Sequence, residues 1–263
     1  MIIAQITDLH VMPKAKLAYD RVDTASMLRA AVGHLARLRP APDIVLISGD
    51  VADHGEPAAY EHCRELLAGL PAPFYIIPGN HDRQAAFRDA FRDQPYLPAE
   101  GFIQYAIEAH PVRIVAIDSQ IPGRTEGRLC TERLEWLDRT LAQRPDAPTI
   151  VMMHHAPFHT GLRHLDFVSL ENPERLEAVV RRHPQIERLV CGHVHRATQI
   201  RFGGTIASAC PGTAHHANLD LREDTDEAFT LEPPGFQVHR WNNDRLYTYT
   251  VTVGEYDGPY PFA

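Results

Sequence analysis

Short apolar runs alternate with amphipathic segments along the first part of the chain. The runs at residues 2–6, 43–47 and 74–77 are rich in Ile, Leu and Val and predict buried strands. Between them, apolar residues recur at helical spacing over residues 24–38, and Pro57 begins a second segment of the same kind. This alternation predicts a mostly parallel sheet that is covered by helices.

The second part of the chain predicts more strands and two longer loops. Alternating apolar residues predict β-hairpins at residues 197–209 and 236–253. Residues 158–171 show no regular period, and the acidic segment 218–227 is typical of a solvated loop. No internal repeat or flexible linker interrupts the pattern, so we predict one domain over residues 1–263.

Residues 102–107 and 112–117 predict an antiparallel pair of strands in the outer part of a sheet. Residues 149–153 and 188–191 predict two further buried strands. The chain therefore offers five buried strands of similar length, and each of the five is followed by polar residues.

These polar residues carry carboxylate, amide and imidazole groups. Asp8 and His10 are two apart, so in an extended segment both side chains point to the same side, and His193 and His195 repeat that spacing. Open α/β sheets bind ligands beyond the carboxyl ends of their strands, so we expect the groups to converge. The strand-end residues are Asp8, His10, Asp50, Asn80, His81, His154, His193 and His195.

Oxygen and nitrogen ligands in this number suit metal ions. Seven such groups exceed what one ion takes from a protein while keeping a position open. They suit two ions that share one bridging carboxylate. Because no cysteine is needed, the ligand set favours iron, manganese, zinc or cobalt.

Composition narrows the classes of partner. The net charge of −8 argues against non-specific binding to nucleic acid, which relies on a basic surface. No apolar run approaches the roughly 20 residues of a membrane span, and the amino terminus shows no secretory signal pattern. We therefore expect a cytoplasmic protein without membrane or nucleic-acid partners. The four scattered cysteines are predicted to be thiols, not disulfides.

The motifs occur in a familiar order: Asp-x-His, Gly-Asp-x-x-Asp, Gly-Asn-His-Asp, a strand-end His and Gly-His-x-His. From Ile3 to Thr213 the chain resembles the calcineurin-like metallophosphoesterase superfamily. Within it, the motifs most resemble the bacterial glycerophosphodiesterase and class III cyclic nucleotide phosphodiesterase group. The resemblance implies an α/β (α+β) fold, a four-layer α-β-β-α sandwich with two mixed sheets and C-terminal β-hairpins. It also implies a homo-oligomer, with residues 203–263 supplying hairpins for capping or oligomer contacts.

The resemblance also implies a role for each matching residue. Asp50 is expected to bridge two divalent ions, and His154 is preferred to His155 as a ligand. His81 is expected to lie uncoordinated near the phosphate, and His215 to contact the phosphate as well. The expected ligands of one ion are Asp8, His10, Asp50 and His195. Those of the other are Asp50, Asn80, His154 and His193. The expected catalytic residues are Asp50, Asn80, His81 and His215.

These inferences predict a phosphodiesterase for small soluble diesters, such as glycerophosphodiesters, that uses a metal-bound hydroxide to attack phosphorus. In this hypothesis His81 donates a hydrogen bond to a phosphoryl oxygen or protonates the leaving group. Residues 14–19, residues 158–166 and the C-terminal hairpins are expected to select the substrate. His54 and Asp82 occupy positions where phosphoprotein phosphatases of the superfamily have Arg and Glu, which argues against protein substrates.

Three other functions fit parts of the pattern. A 3',5'-cyclic nucleotide (cAMP) phosphodiesterase uses the same metals and differs in the loops that hold the base. A metal-binding module without catalysis does not explain why His81, a non-ligand, lies among ligands. A nuclease is disfavoured by the acidic charge.

Overall fold

The computed structural model describes residues 1–262, which contain six helices and fifteen strands. The helices are α1 (Thr24–Arg37), α2 (Pro57–Leu67), α3 (Gln84–Ala90), α4 (Thr131–Ala142), α5 (Arg163–Asp166) and α6 (Pro173–Val180). The strands are β1 (Ile2–Ile6), β2 (Ile44–Ser48), β3 (Phe74–Ile77), β4 (Tyr105–Ile107), β5 (Arg113–Ala116), β6 (Gly127–Arg128), β7 (Thr149–Met152), β8 (Leu170–Glu171), β9 (Ile186–Cys191), β10 (Thr198–Phe202), β11 (Thr205–Ala209), β12 (His216–Ala217), β13 (Phe229–Thr230), β14 (Gly235–Asn242) and β15 (Arg245–Thr252).

Two mixed sheets form the centre of the molecule. In the first, β1, β2 and β3 are parallel neighbours, and the order is β15-β14-β1-β2-β3. In the second, β5, β7, β9 and β11 are parallel, and the order is β10-β11-β9-β7-β5-β4. The strands β4, β10, β14 and β15 are antiparallel to their neighbours. Each sheet therefore has a parallel interior and antiparallel edges.

Apolar side chains fill the space between the two sheets and the space on their outer faces. Between the sheets, Leu46 of β2 belongs to the same buried cluster as Ile150 of β7 and Val190 of β9. Helices α1, α2 and α3 cover the outer face of the first sheet, and α4 and α6 cover that of the second. The four-layer α-β-β-α arrangement with two mixed sheets is thus confirmed.

The mostly parallel, helix-covered arrangement predicted from strand–helix alternation is confirmed for β1 to β3, but the later histidine-bearing strands lie in a second sheet. Strands β1 to β3 belong to one sheet, whereas β5, β7 and β9 belong to the other. All six are short and mostly buried, so each contains a similar apolar run. Such runs identify strands but do not tell which sheet a strand joins.

Two segments depart from their predicted forms. Residues 158–171, predicted to be a loop, contain the one-turn helix α5 and the two-residue strand β8, which pairs in parallel with β6. Elements this short have no measurable period. The predicted strand at residues 102–107 begins only at Tyr105. The predicted hairpins are confirmed as β10–β11 and β14–β15, and β14 pairs with β1 in the first sheet.

The four cysteines are free thiols, as predicted, and all but the partly exposed Cys130 are buried. Within residues 1–262, none of the helices combines the length and the apolar character that a bilayer crossing requires.

The packing between the sheets gives a stability prediction. Replacing Leu46, which is fully buried, with alanine removes contacts with both sheets and should lower the free energy of unfolding by about 2–5 kcal/mol. Leu221→Ala, at an exposed position, is the matched control and should change it by no more than about 0.5 kcal/mol. Urea unfolding followed by circular dichroism measures both. A Leu46→Ala effect as small as that of the control would contradict this packing.

Candidate metal centre

Strands of both sheets end at the same edge of the sandwich. The loops after β1, β2 and β3 in the first sheet, and after β7 and β9 in the second, carry the predicted strand-end residues. The structure brings these side chains together around one cavity. They are Asp8, His10, Asp50, Asn80, His81, His154, His193 and His195.

One cluster consists of Asp8, His10, Asp50 and His195, whose ligand-type atoms lie within 4.8 Å of one another. The Nε2 atoms of His10 and His195 are 3.1 Å apart. His10 Nε2 is 3.6 Å from Asp50 Oδ2, and His195 Nε2 is 3.6 Å from Asp8 Oδ1. All four residues are buried. They are the set expected to hold the first ion.

A second cluster lies on the other side of Asp50. The Oδ1 atom of Asn80 is 2.9 Å from His193 Nδ1 and 3.0 Å from His154 Nε2. His154 Nε2 is also 3.4 Å from Asp50 Oδ2. Asp50 therefore contacts both clusters, in the position expected of a bridging carboxylate. His155, the alternative to His154, has both ring nitrogens engaged by Ser119 Oγ and the Thr125 carbonyl.

Hydrogen bonds outside the clusters fix the orientation of three imidazoles. The Nδ1–H of His10 donates to Asp53 Oδ1 at 2.8 Å. The corresponding groups of His154 and His195 donate at 2.8 Å to the backbone carbonyls of Ser48 and His215. When unprotonated, each ring then presents the lone pair of its Nε2 atom to the cluster, which is the usual arrangement of a metal-binding histidine.

This geometry fits metal ions. In their neutral forms, with Nδ1–H donating outward, the rings of His10 and His195 direct Nε2 lone pairs at each other across 3.1 Å and repel. A cation bound to both reverses that repulsion. With metal–nitrogen distances of about 2.0–2.1 Å, neighbouring ligand atoms lie roughly 3.0–3.4 Å apart. The spacings given above, 2.9–3.6 Å, are close to that range. The two clusters can therefore hold metal ions.

The charges of the site also favour a cation. Burial lowers the pKa of His154, but the charge of Asp50 and a hydrogen bond to it outweigh burial and raise that pKa to about 9. Burial raises the pKa of Asp50, but the charges of His154 and His81 hold it well below its usual range. Burial and the charge of His154 lower the pKa of His193 to about 3, so this ring is neutral and able to act as a ligand.

The backbone of the site is held in an unusual conformation. Five cluster residues have φ between 44° and 67°, in the left-handed region that residues other than glycine rarely adopt. Each such residue costs on the order of 1–3 kcal/mol, and such strain concentrates at functional sites. The five are Asp8, His10, Asp50, His193 and His195.

Two glycines allow the loops to approach each other closely. A Cβ atom on Gly79 would lie 2.2 Å from Asp50 Oδ1 and 2.7 Å from His154 Nε2. A Cβ atom on Gly192 would lie 2.0 Å from Thr7 Oγ1 and 3.0 Å from Asp8 Oδ2. No side chain fits at either position, because the ligand-type atoms already occupy that space.

The two non-ligand histidines predicted from the sequence lie beside the first cluster. The side chain of His81 is 31% exposed, its Nδ1–H donates to the Asp53 carbonyl at 2.7 Å, and its ring is 4.6 Å from that of His10. The ring of His215 is 4.6 Å from that of His195. Burial and the charge of His195 lower the pKa of His215 to about 2. His81 thus lies at the solvent-exposed side of the site, and the neutral ring of His215 lines the cavity.

A cavity of about 460 Å³ opens onto both clusters. Of the segments expected to select the substrate, residues 14–19 contribute Tyr19, and residues 158–166 contribute His164 and Leu165. Of the C-terminal hairpins, the β12–β13 pair contributes Ala217 and Phe229 to the lining, whereas β14 and β15 contribute no lining residue. The lining residues are His10, Tyr19, Asp50, Asn80, His81, Thr125, His164, Leu165, Val168, His193, His195, His215, Ala217, Glu227, Ala228 and Phe229.

Two buried carboxylates support the site, and no role was predicted for either as a support. Asp53, the second acid of the Gly-Asp-x-x-Asp motif, accepts the hydrogen bond from His10. Asp82 accepts hydrogen bonds from the backbone of Gly79 and of residues 51 and 52, and from the hydroxyl of Tyr60, at 2.8–3.0 Å. It thereby ties the loop after β2 to the loop after β3. The sequence signal for these supporting roles was that Asp53 and Asp82 are the last residues of the Gly-Asp-x-x-Asp and Gly-Asn-His-Asp motifs.

The fold and this site define a class of protein. Residues 1–197 match the family model for calcineurin-like phosphoesterases, and the chain belongs to that family.

Within the family, the chain is similar in sequence to two kinds of phosphodiesterase. The chain is 36% identical, over its full length and 97% of the relative, to a probable glycerophosphodiester phosphodiesterase, GpdQ, of Arcobacter nitrofigilis. It is 34% identical to the 3',5'-cyclic adenosine monophosphate phosphodiesterase CpdA of Escherichia coli K12, over 96% of this chain and 94% of the relative. A crystal structure of a dimetal phosphatase from Danio rerio shares the fold, with a TM-score of 0.67 over 97% of this chain and 99% of that one, at 15% identity. The predicted resemblance is thus confirmed.

The close approach of Asp50 and His154 to Gly79 allows a test of whether the site binds metal ions. Gly79→Ala should lower the number of bound metal ions below that of the unaltered protein, because the new methyl group displaces Asp50 and His154. Gly33→Ala, inside α1 with only ordinary contacts, is the matched control and should retain them. Metal analysis of the purified proteins by mass spectrometry gives the counts. Equal metal content in both variants would show that the space beside Gly79 is not part of a metal site.

Proposed function

We propose that this protein is a dinuclear metal-dependent phosphodiesterase that hydrolyses small soluble diesters of the glycerophosphodiester type. The observation that carries the proposal is that the two clusters of ligand-type residues share Asp50, which lines the cavity. Family membership and the 36% identical relative, named as a probable glycerophosphodiester phosphodiesterase, support the same reaction class. The protein is accordingly a hydrolase of phosphodiesters.

The proposed ligands follow the two clusters. Asp50 bridges, and the oxygen and nitrogen donors select iron, manganese, zinc or cobalt. One ion takes Asp8, His10, Asp50 and His195. The other takes Asp50, Asn80, His154 and His193. Such a pair of ions, when bound, lowers the pKa of a coordinated water and offsets charge on phosphate oxygens.

The chain's own residues then orient the substrate and move a proton. His81 donates from Nδ1 to the Asp53 carbonyl, which leaves Nε2 free at the exposed side of the site. When protonated there, His81 donates to a phosphoryl oxygen or to the departing alkoxide. His215, whose neutral ring lies against His195, contacts the phosphate from the opposite wall. Asn80 positions the two histidines that it contacts.

A cyclic nucleotide phosphodiesterase is the second candidate. The 34% identical relative from Escherichia coli K12, named as a cAMP phosphodiesterase, supports it. Product analysis of the manganese-loaded protein with glycerophosphocholine and with cAMP separates the two. We expect a higher kcat/KM for glycerophosphocholine. Faster cleavage of cAMP would favour the second candidate, and no cleavage of either diester would favour a metal-binding module without catalysis.

We further propose one cytoplasmic domain over residues 1–263 that forms a homo-oligomer. The last residue lies outside the described part of the chain. In this proposal, residues 203–263 supply hairpins for capping or oligomer contacts. The exposed aromatic side chains of Tyr247 and Tyr249 on the edge strand β15 support that use. The net charge of −8 supports a small-molecule substrate over nucleic acid.

The role of His81 gives a kinetic prediction. His81→Ala should lower kcat for bis(p-nitrophenyl) phosphate by about 10²–10⁴-fold, because a positioned proton donor is lost. Its metal content should equal that of the unaltered protein, since His81 is not a ligand. His54→Ala, which removes a more exposed histidine from the loop after β2, is the control and should retain most of the activity. Full activity in His81→Ala with both ions bound would remove His81 from the mechanism.

A further inference from the structure

The mouth of the cavity has an aromatic wall made of Tyr19, His215 and Phe229. The ring of Tyr19 is 5.2 Å from that of His215 and 5.1 Å from that of Phe229, and the rings of His215 and Phe229 are 5.1 Å apart. His215 also contacts His195 of the first cluster. One ring thus separates the metal-ligand cluster from the outer part of the wall.

A carboxylate completes this part of the cavity. Glu227, two residues before Phe229, is exposed and lines the same cavity. Burial, the charges of Asp53 and Asp50, and the charge of Glu227 raise the pKa of Tyr19 to about 12, so the phenol stays neutral beside these acids. Among the residues described, none that lines the cavity is Lys or Arg.

These groups suit a cation better than an anion or a planar base. Aromatic faces with a nearby carboxylate attract ammonium groups, and the attraction grows as the cation loses water. A second phosphate would find no Lys or Arg to pair with, and it would meet the charge of Glu227. The rings of Tyr19 and Phe229 lie against each other and leave no slot between them for a base.

We propose that Tyr19, Phe229 and Glu227 form a subsite for an ammonium group on the alcohol portion of the diester. This inference rests on the proposed function and specifies its substrate class: diesters of choline or ethanolamine type. With the phosphate at the clusters, the two-carbon arm of such an alcohol passes His215 and brings the ammonium group to the wall.

A neutral isostere separates charge recognition from fit. The manganese-loaded protein is given glycerophosphocholine and, in parallel, the diester in which 3,3-dimethylbutanol replaces choline, which has the same shape without the charge. We expect kcat/KM to be about tenfold higher for the cationic diester. This ratio should fall as ionic strength rises, because Glu227 is exposed.

Two variants test the residues named. Glu227→Gln should lower the ratio of the two kcat/KM values by about two- to fivefold. Phe229→Leu, which keeps apolar volume but removes the ring, should also lower the ratio. Asp224→Asn, with the same charge change in the same exposed loop but outside the cavity, should keep the ratio of the unaltered protein. Thermal unfolding confirms that each variant is folded.

The outcomes are distinct. A ratio near one in the unaltered protein, or a ratio that Glu227→Gln and Asp224→Asn change equally, would overturn the subsite while diester hydrolysis stands. A preference for cAMP over both diesters that Phe229→Leu abolishes would assign the wall to base stacking and overturn the subsite as well. Failure to cleave any diester with manganese bound would overturn both the proposed function and this inference.

Discussion

The repulsion between buried lone pairs is the interaction on which the rest of this structure depends. When neutral, His10 and His195 direct Nε2 lone pairs at each other across 3.1 Å, and the Asn80 oxygen lies within 3.0 Å of a nitrogen of two more imidazoles. Asp50 adds negative charge between the two groups. Such a concentration of carboxylate charge and acceptor atoms is unfavourable inside a protein unless a positive charge, a proton or a metal ion, lies among them. The site therefore makes physical sense as a pair of cation positions that share one carboxylate.

The surrounding fold holds these groups in place against that repulsion and against backbone strain. Parallel strands of two different sheets end at one edge, and their loops meet there. Asp82 binds the backbone of two of these loops, and Asp53 holds His10 in a single orientation. The left-handed backbone at five cluster residues persists because these bonds and the packing around Gly79 and Gly192 leave no alternative. Precision at the site thus derives from buried polar contacts as much as from the apolar core.

Much of this could be predicted from the sequence, because strand ends and their polar residues follow from local patterns. Residues such as Asp8 and His154 were placed at strand ends by the apolar run before each of them. The division into two sheets was implied by the family resemblance and not by the local pattern, since a short apolar run such as β3 or β7 does not show which sheet the strand joins. The support from Asp82 and the aromatic wall of Tyr19 and Phe229 depend on contacts between distant segments. The left-handed φ of Asp8 or His10 had no sequence signal, because no glycine marks it.

The central claim is that two cations bind side by side at this edge of the sandwich. A crystal of the manganese-loaded protein soaked with phosphate, with anomalous scattering measured at the manganese edge, tests it most directly. We expect two peaks about 3.5–4 Å apart, both next to Asp50, with His10 beside one and His154 beside the other. A single peak, or peaks remote from Asp50, would contradict it.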